Sequence, residues 1–364
     1  MSVIIFIIIL GVLIFVHELG HFLVAKKSGI RVDEFAVGFP PKIWSWTKNG
    51  TKYALNLIPI GGYVKIFGES ADEEAIDPEN KDSFLNKSRW TQAAVLVAGV
   101  VFNIVFAWML LSISLMAGFP SVVTEQNSED IKESYIVVTK VFQKSPAAVV
   151  GIESGDQIMG ITRGEEILNT ENITASSIQE FISSSGELLN LEIIRDGEPL
   201  ILDIKPQTGT IGTEKPAIGI SMQKIGKLQL PFFEALWRGV TMTGQMIKEI
   251  AFGLFGLLAD VFTGNGSLDN VAGPVEIVNL VGSASNFGLT YLLGFTAFIS
   301  INLAVLNILP FPALDGGRLL IVLIEGVTRR RIKPSIVNAV NAVGLILLLL
   351  LMLIITVNDV IKLF

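Results

Sequence analysis

The first apolar block of the chain, Val3 to Ala25, encloses His17-Glu18-Leu19-Gly20-His21, and these are the only two histidines in 364 residues. H-E-x-x-H on a helix places its imidazoles one turn apart on one face, the spacing that lets both reach one zinc ion. A histidine on an apolar helix is more often a packing residue than a ligand. Two histidines and a glutamate within five residues at membrane depth are another matter, because such groups are costly there unless paired, hydrated or bound to an ion. The pattern constrains the fold to a helix that carries a metal site inside a bilayer.

The remaining composition agrees. With 51% hydrophobic and 17% charged residues the chain is too apolar for an ordinary soluble protein. Four blocks are long enough to cross a bilayer core, at about 3–25, 93–119, 292–311 and 336–357. The first has no basic leader and runs into Lys26-Lys27 instead of a small-residue cleavage site, so it reads as a retained helix, not a secretory signal. A net charge of −7 and the lack of a basic stripe argue against nucleic acid as a partner. With no cysteine, disulfides and thiolate ligands are excluded, and zinc must be held by histidine and carboxylate.

Basic residues beside the spans set the expected orientation. Lys26, Lys27 and Arg31, then Lys87 and Arg89, then Arg329, Arg330, Arg331 and Lys333 mark cytoplasmic loops. Four spans then place both termini and the 120–290 region outside.

Between the spans, residues 51–67 read as two short apolar β segments around a turn at Pro59 to Gly62, a hairpin beside the histidine helix. The acidic stretch Glu69 to Asp82 reads as a solvated loop. From about Tyr135 to Pro206 the composition turns soluble and β-rich, with Ser154-Gly155-Asp156 and an Asp196-Gly197 hairpin, which predicts a small, partly open β-barrel with helices. An open sheet edge there would accept an extended peptide. Residues 232–263 predict amphipathic helices, a surface-lying or protein-packed pair interrupted by Glu234, Arg238, Lys248, Glu249 and Asp260; a fifth span is the alternative.

A catalytic zinc site needs three protein ligands and one open position. The best candidate for the third is Asp315, which follows the third span in Asn307-Ile-Leu-Pro-Phe-Pro-Ala-Leu-Asp315-Gly-Gly317. A plain helix cap is the other reading of such an acid. Two prolines before it and two glycines after it break the helix, which at membrane depth is tolerated only where backbone lines an enclosed or watery cavity.

These pieces resemble the site-2 proteases, intramembrane zinc metalloproteases, and within them the bacterial regulator of sigma-E protease group with a single PDZ domain. The resemblance rests on HELGH at 17–21, LIPIGGYVK at 57–65, Gly99-Val-Val-Phe-Asn103, SPAAVVGIESGDQI at 145–158, Ala272-Gly-Pro-Val-Glu276 and NILPFPALDGG at 307–317, in family order over nearly the whole chain. It implies a multi-pass α-helical membrane protein with four transmembrane helices, a membrane-reentrant β-hairpin and an inserted extracytoplasmic PDZ-like α+β domain. The implied divisions are a first protease half at 1–119, the PDZ-like domain at 120–210, a connecting region with amphipathic helices at 211–289 and a second protease half at 290–364.

It also implies that His17, His21 and Asp315 bind Zn2+, that Glu18 is the acid/base residue, and that Asn307 holds the substrate or its oxyanion. The hairpin would align substrate through Tyr53, Leu55, Leu57, Gly61, Gly62 and Tyr63. Expected partners are the lipid bilayer of the bacterial inner membrane and single-span membrane proteins such as anti-sigma factors or remnant signal peptides. The PDZ groove would take a peptide or exclude untrimmed substrates; an insertion around Arg163 to Asn172 alters its shape. Asn103 reads equally as an interhelical polar bond, with Gly99 permitting close approach, or as catalytic support. The Ala272 to Glu276 segment reads as scaffold or gate. A midplane metal-ion transporter and a non-catalytic PDZ scaffold are the competing functions, though no internal repeat of the transporter kind is visible.

Overall fold

The computed structural model describes residues 1–69, 79–123, 130–169, 174–195, 197–209, 215–263 and 271–362. Most of the expected acidic loop, part of the 163–172 insertion and Asp196 of the Asp-Gly hairpin lie outside the described residues. The chain divides into two compact units, one formed by residues 1–114 and 232–364 and the other by residues 115–231.

In the first unit, four helices are long and apolar enough to cross a membrane: α1 (Ser2–Lys27), α2 (Arg89–Ala117), α7 (Leu289–Ile308) and α9 (Pro334–Lys362). The buried side of α1 includes a stripe at four-residue spacing, Ile9, Leu13, His17, His21 and Ala25, so the histidines occupy the face that packs. Alongside these helices lie α6 (Pro274–Asn286) and α8 (Asp315–Thr328). The expected amphipathic pair at 232–263 is one continuous helix, α5 (Phe232–Thr263). Met242, Met246, Ile247, Ile250 and Leu254 of α5 pack against Ala107, Leu110 and Leu111 of α2 and Ala297, Ile301 and Val305 of α7. No proline interrupts that run, and one apolar stripe along its middle, from Met242 to Leu254, packs against two neighbours.

The β element of this unit differs from the expected hairpin. Strands β1 (Val32–Lys48) and β2 (Thr51–Ile66) meet at Asn49-Gly50, both at positive φ, as a tight hairpin requires. Each long strand is bent, and residues 34–37 pair on both sides: Phe35 lies opposite Tyr53 and also opposite Val64, and Val37 opposite Leu55 and Gly62. The result is four antiparallel segments in the order 42–48, 51–58, 32–39, 62–66. The two segments flanking Pro59 to Gly62 therefore do not pair with each other. They flank a third segment, 32–39, whose Gly-Phe-Pro-Pro break hides it from a search for alternating strands.

This sheet runs along α1. Lys26 Nζ donates to Asn49 O at 3.3 Å and to Thr51 Oγ1 at 3.1 Å, Phe15 and Phe22 pack on Phe35, and a Cβ at Gly11 would sit 3.4 Å from Pro59 O. The span from Gly11 to Lys26 is about 22 Å of helix.

The second unit is a seven-stranded antiparallel sheet. Its strands are β3 (Phe119–Val122), β4 (Ile131–Val141), β5 (Gln157–Arg163), β6 (Glu166–Asn169), β7 (Leu189–Arg195), β8 (Glu198–Ile204) and β9 (Ile220–Leu228), in the order β3-β9-β4-β5-β7-β8 with β6 on β5. The unit thus extends past residue 210, because β9 lies inside the sheet. Ile136 and Val138 of β4 and Leu189, Leu191 and Ile193 of β7 alternate inward, and with Ile158 and Ile161, set either side of a register shift in β5, they pack on Ile178 and Ile182. Those two belong to helix α4 (Ala175–Ser183), while the short helix α3 (Pro146–Val149) starts at the Ser145 cap. Asp156, buried in the turn before β5, accepts both 2.7 Å bonds of an Arg195 fork and the Glu153 N–H. β3 covers β9 only from Ile225 to Leu228, and residues 217–222 and α4 line a groove between them.

Candidate metal centre

His17, His21 and Asp315 come together although 298 residues separate the first from the last. Their ligand atoms lie within 4.8 Å of one another. His17 Nε2 is 3.0 Å from Asp315 Oδ2, His21 Nε2 is 3.3 Å from the same oxygen, and the two Nε2 atoms are 3.2 Å apart.

The face of α2 opposite the histidines builds this arrangement. His21 Nδ1 donates to the Val95 carbonyl at 2.8 Å, which leaves its Nε2 with a lone pair. One turn on, Gly99 has no side chain where a Cβ would fall 2.4 Å from His21 Nε2 and 2.6 Å from His17 Cε1. Another turn on, the fully buried Asn103 amide lies 3.4 Å from His17 Nδ1. Its Oδ1 is buried without a partner, and turning the amide over sets Oδ1 against His17 Nδ1–H. Both histidines then present Nε2 lone pairs toward a carboxylate oxygen.

With each imidazole proton assigned to Nδ1, the two Nε2 atoms and Asp315 Oδ2 converge as three acceptors, an arrangement that a cation joins. The donor set of two imidazoles and one carboxylate, each imidazole fixed through its other nitrogen, fits zinc.

Asp315 is brought in by a helix break. After α7 ends at Ile308, residues 309–314 turn and α8 starts at Asp315. A Cβ on Gly316 would lie 2.2 Å from Ile308 O and Leu309 O, and one on Gly317 would lie 2.2 Å from Phe311 O, so both glycines are required for α8 to start this close to the end of α7.

A cavity of about 310 Å³ beside the cluster is lined by His17, Glu18, His21, Tyr63, Val64, Ile66, Glu69, Ala313, Asp315 and Arg318. Arg318 pairs with Glu69 at its wall. Glu18 faces the 62–66 segment: the Val64 backbone N–H donates to its carboxylate, and a Cβ on Gly62 would sit 3.8 Å from its Cγ. Among the described residues no strand pairs with the outer edge of 62–66.

Of the residues expected to touch substrate, Tyr63 lines the cavity and Gly62 lies next to Glu18. Tyr53, Leu55 and Leu57 belong to the 51–58 segment, two segments from 62–66 with 32–39 between them, where Tyr53 stacks on Trp46. Asn307 and Gly61 are not among the residues lining the cavity. Val64, Ile66, Glu69, Ala313 and Arg318 also line it, and the sequence alone names none of them as a site residue. For Glu69 and Arg318, an acid and a base near the ligand motifs were the available signal.

Known proteins resemble this chain over nearly its whole length. The chain is 34% identical over 351 residues to the "Putative zinc metalloprotease" of Clostridium perfringens, covering 96% of this chain and 95% of the relative. A protein of the same printed name from Clostridium acetobutylicum is 34% identical over 361 residues, covering 99% and 97%. The "Regulator of sigma E protease" of Haemophilus influenzae is 27% identical over 423 aligned positions, covering 91% and 92%. The family profile of Peptidase family M50 matches residues 5–351, and the chain belongs to that family, the site-2 zinc metalloproteases.

Proposed function

We propose that this chain is an endopeptidase that cleaves the membrane-spanning segments of single-span proteins, in the manner of regulated intramembrane proteolysis, with anti-sigma-factor-like regulators and remnant signal peptides as its substrates. The observation that carries this reading is the convergence of His17, His21 and Asp315 beside Glu18 and the unpaired edge of residues 62–66.

His17, His21 and Asp315 are assigned as the zinc ligands and Glu18 as the acid/base residue. Zinc, when bound, polarises the scissile carbonyl and acidifies water. The Glu18 carboxylate takes the proton of the attacking water and returns it to the leaving amine. A peptide carbonyl in an intact helix is already hydrogen-bonded, so the substrate must unwind to be cut. Adding the unwound stretch to the 62–66 edge replaces the lost backbone bonds next to Glu18. Gly62 and Tyr63 sit at that edge; Tyr53, Leu55, Leu57 and Gly61 support it from within the sheet. Asn307 is assigned to the substrate or its oxyanion on the family pattern.

The sheet is assigned as reentrant: it follows α1 from the Lys26 end to Gly11, about 22 Å into a bilayer core about 30 Å thick. Exposed Phe39, Ile43, Leu57 and Ile58 gather at its Gly11 end, as lipid contact requires. The 115–231 unit is read as the PDZ-like domain, outside the inner membrane with both termini, its α4/β9 groove taking a peptide or screening substrates by size. Within the fold, 1–119 and 290–364 are the two protease halves and 211–289 the connection, with β9 reassigned to the PDZ-like unit.

The test is cleavage of a tagged single-span substrate in liposomes by wild type, by Glu18→Gln and by wild type with a zinc chelator. Cleavage falls about 10²–10⁴-fold in Glu18→Gln, the range for losing a general acid/base, and stops with the chelator. Undiminished cleavage by Glu18→Gln overturns the assignment.

A further inference from the structure

We infer that Asn341, on the apolar helix α9, is a positioning residue for the metal centre: it holds the turn that aims Asp315 by selecting the orientation of that turn's central peptide. The inference rests on the assignment of His17, His21 and Asp315 as zinc ligands.

Phe311-Pro312-Ala313-Leu314 is a β-turn, closed by Leu314 N–H donating to Phe311 O at 3.2 Å. Proline is its second residue, and Ala313, its third, has a φ of +72°. That is the type II pattern, whose third position favours glycine. An alanine there is held in the left-handed region against its own preference. A type I turn suits Pro-Ala equally well at the second position and keeps the third at negative φ. The two types differ by a flip of the central peptide, so the Ala313 N–H points to opposite sides in them.

In this structure the Ala313 N–H donates to Asn341 Oδ1 at 3.2 Å. The acceptor lies where only the type II peptide reaches it. Without Asn341 the turn gains by relaxing to type I, which inverts the peptide two residues before Asp315. The Asp315 carboxylate then leaves the position set by His17 and His21.

Packing supports the same assignment. One helical step of three from Asn341, Gly344 rests on the turn itself: a Cβ there would fall 2.4 Å from Pro312 Cβ and 2.6 Å from Pro312 O. Elsewhere α9 is largely outward-facing, with Val343, Leu345, Ile346, Leu347, Leu349 and Leu350 exposed. An amide in such a helix is retained where it has a partner, and the turn of Asp315 is that partner.

The experiment measures zinc affinity of the full-length protein in detergent by competition with a chelator. Asn341→Leu, nearly isosteric and suited to an apolar helix, removes the acceptor; Asn341→Ala is the second such variant. Each weakens zinc binding about tenfold or more, the range for losing an outer support of a ligand. Asn341→Asp, which keeps the oxygen, stays close to wild type. Ala313→Gly added to Asn341→Leu restores the affinity, because glycine takes the positive φ unaided. A role in helix packing alone would not be rescued from Ala313. Wild-type affinity in Asn341→Leu, or a loss that Ala313→Gly does not restore, overturns the inference. Full zinc binding by His17→Ala overturns the ligand assignment and the inference with it.

Discussion

Asp156 and Asp315 are both carboxylates at the end of a turn, each met by side chains from a distant part of the chain, and they differ in how far their partners satisfy them. Asp156 is 1% exposed and saturated, with the Arg195 guanidinium on both oxygens and the Glu153 N–H on one of them. Asp315 faces the Nε2 atoms of two histidines, which are acceptors once each imidazole proton is assigned to Nδ1, and its side chain keeps 21% exposure on the cavity. The first arrangement is complete as a protein structure. The second is complete only with a cation, and a carboxylate in a turn becomes a functional candidate when its neighbours are acceptors too.

Exchanging the two losses breaks that comparison most sharply. Arg195→Ala leaves a buried charge unpaired, so the 115–231 unit should lose about 3–5 kcal/mol while zinc stays bound. Asp315→Asn should abolish stoichiometric zinc binding and proteolysis with little change in unfolding. Denaturant melts alongside zinc analysis check both, and zinc loss in Arg195→Ala would end the view that Asp156 is purely structural.

Asn103 sharpens the comparison at lower cost. It is the counterpart of the Glu153 N–H, a group that touches no substrate and fixes a side chain that does the work. Asn103→Ala should weaken zinc about 10–100-fold, the usual range for an outer partner of a ligating histidine. Asn103→Asp, which keeps an oxygen opposite His17 Nδ1, should lose less. Equal losses in both variants would mean that Asn103 acts by packing α2 against α7, where Ser300 Oγ donates to its backbone carbonyl at 2.9 Å, and does not orient His17.

The three residues proposed as ligands stand out because each breaks the rule of its surroundings: two histidines in an apolar run, an acid amid prolines and glycines between two spans. Family membership then sets aside the transporter and scaffold alternatives. What supports the ligands was less legible. Val95 acts through its carbonyl, which no sequence displays. Residues 32–48 carry no clean alternation, so the sequence does not display the segment that separates 51–58 from 62–66, and the turn at Pro59 looks like a hairpin. Asn341 and Asp359 leave a signal, polar residues on either side of the leucine- and isoleucine-rich middle of an apolar helix. Only the fold shows what each one meets.

The smallest effect concerns helix starts, where the two units again differ. Helix α4 is capped from its own sequence, with Thr174 and Ser177 each bonding the other's backbone. Helix α6 has no such cap. Asp359, more than 80 residues further along on α9, accepts from Gly273 N–H and Glu276 N–H, each at 3.1 Å. Gly273 is the residue that admits it, since a Cβ there would meet the carboxylate at 2.5 Å. The Ala272 to Glu276 motif is thus a docking point for α9 as well as a helix start. Losing a capping side chain costs about 0.5–2 kcal/mol. Thr174→Ala should loosen α4 alone, whereas Asp359→Ala should raise hydrogen exchange at the start of α6 and along the C-terminal half of α9 together. Exchange confined to α6 would show that α9 is held by its lipid-facing length and by the Pro312 turn, and that Asp359 only caps.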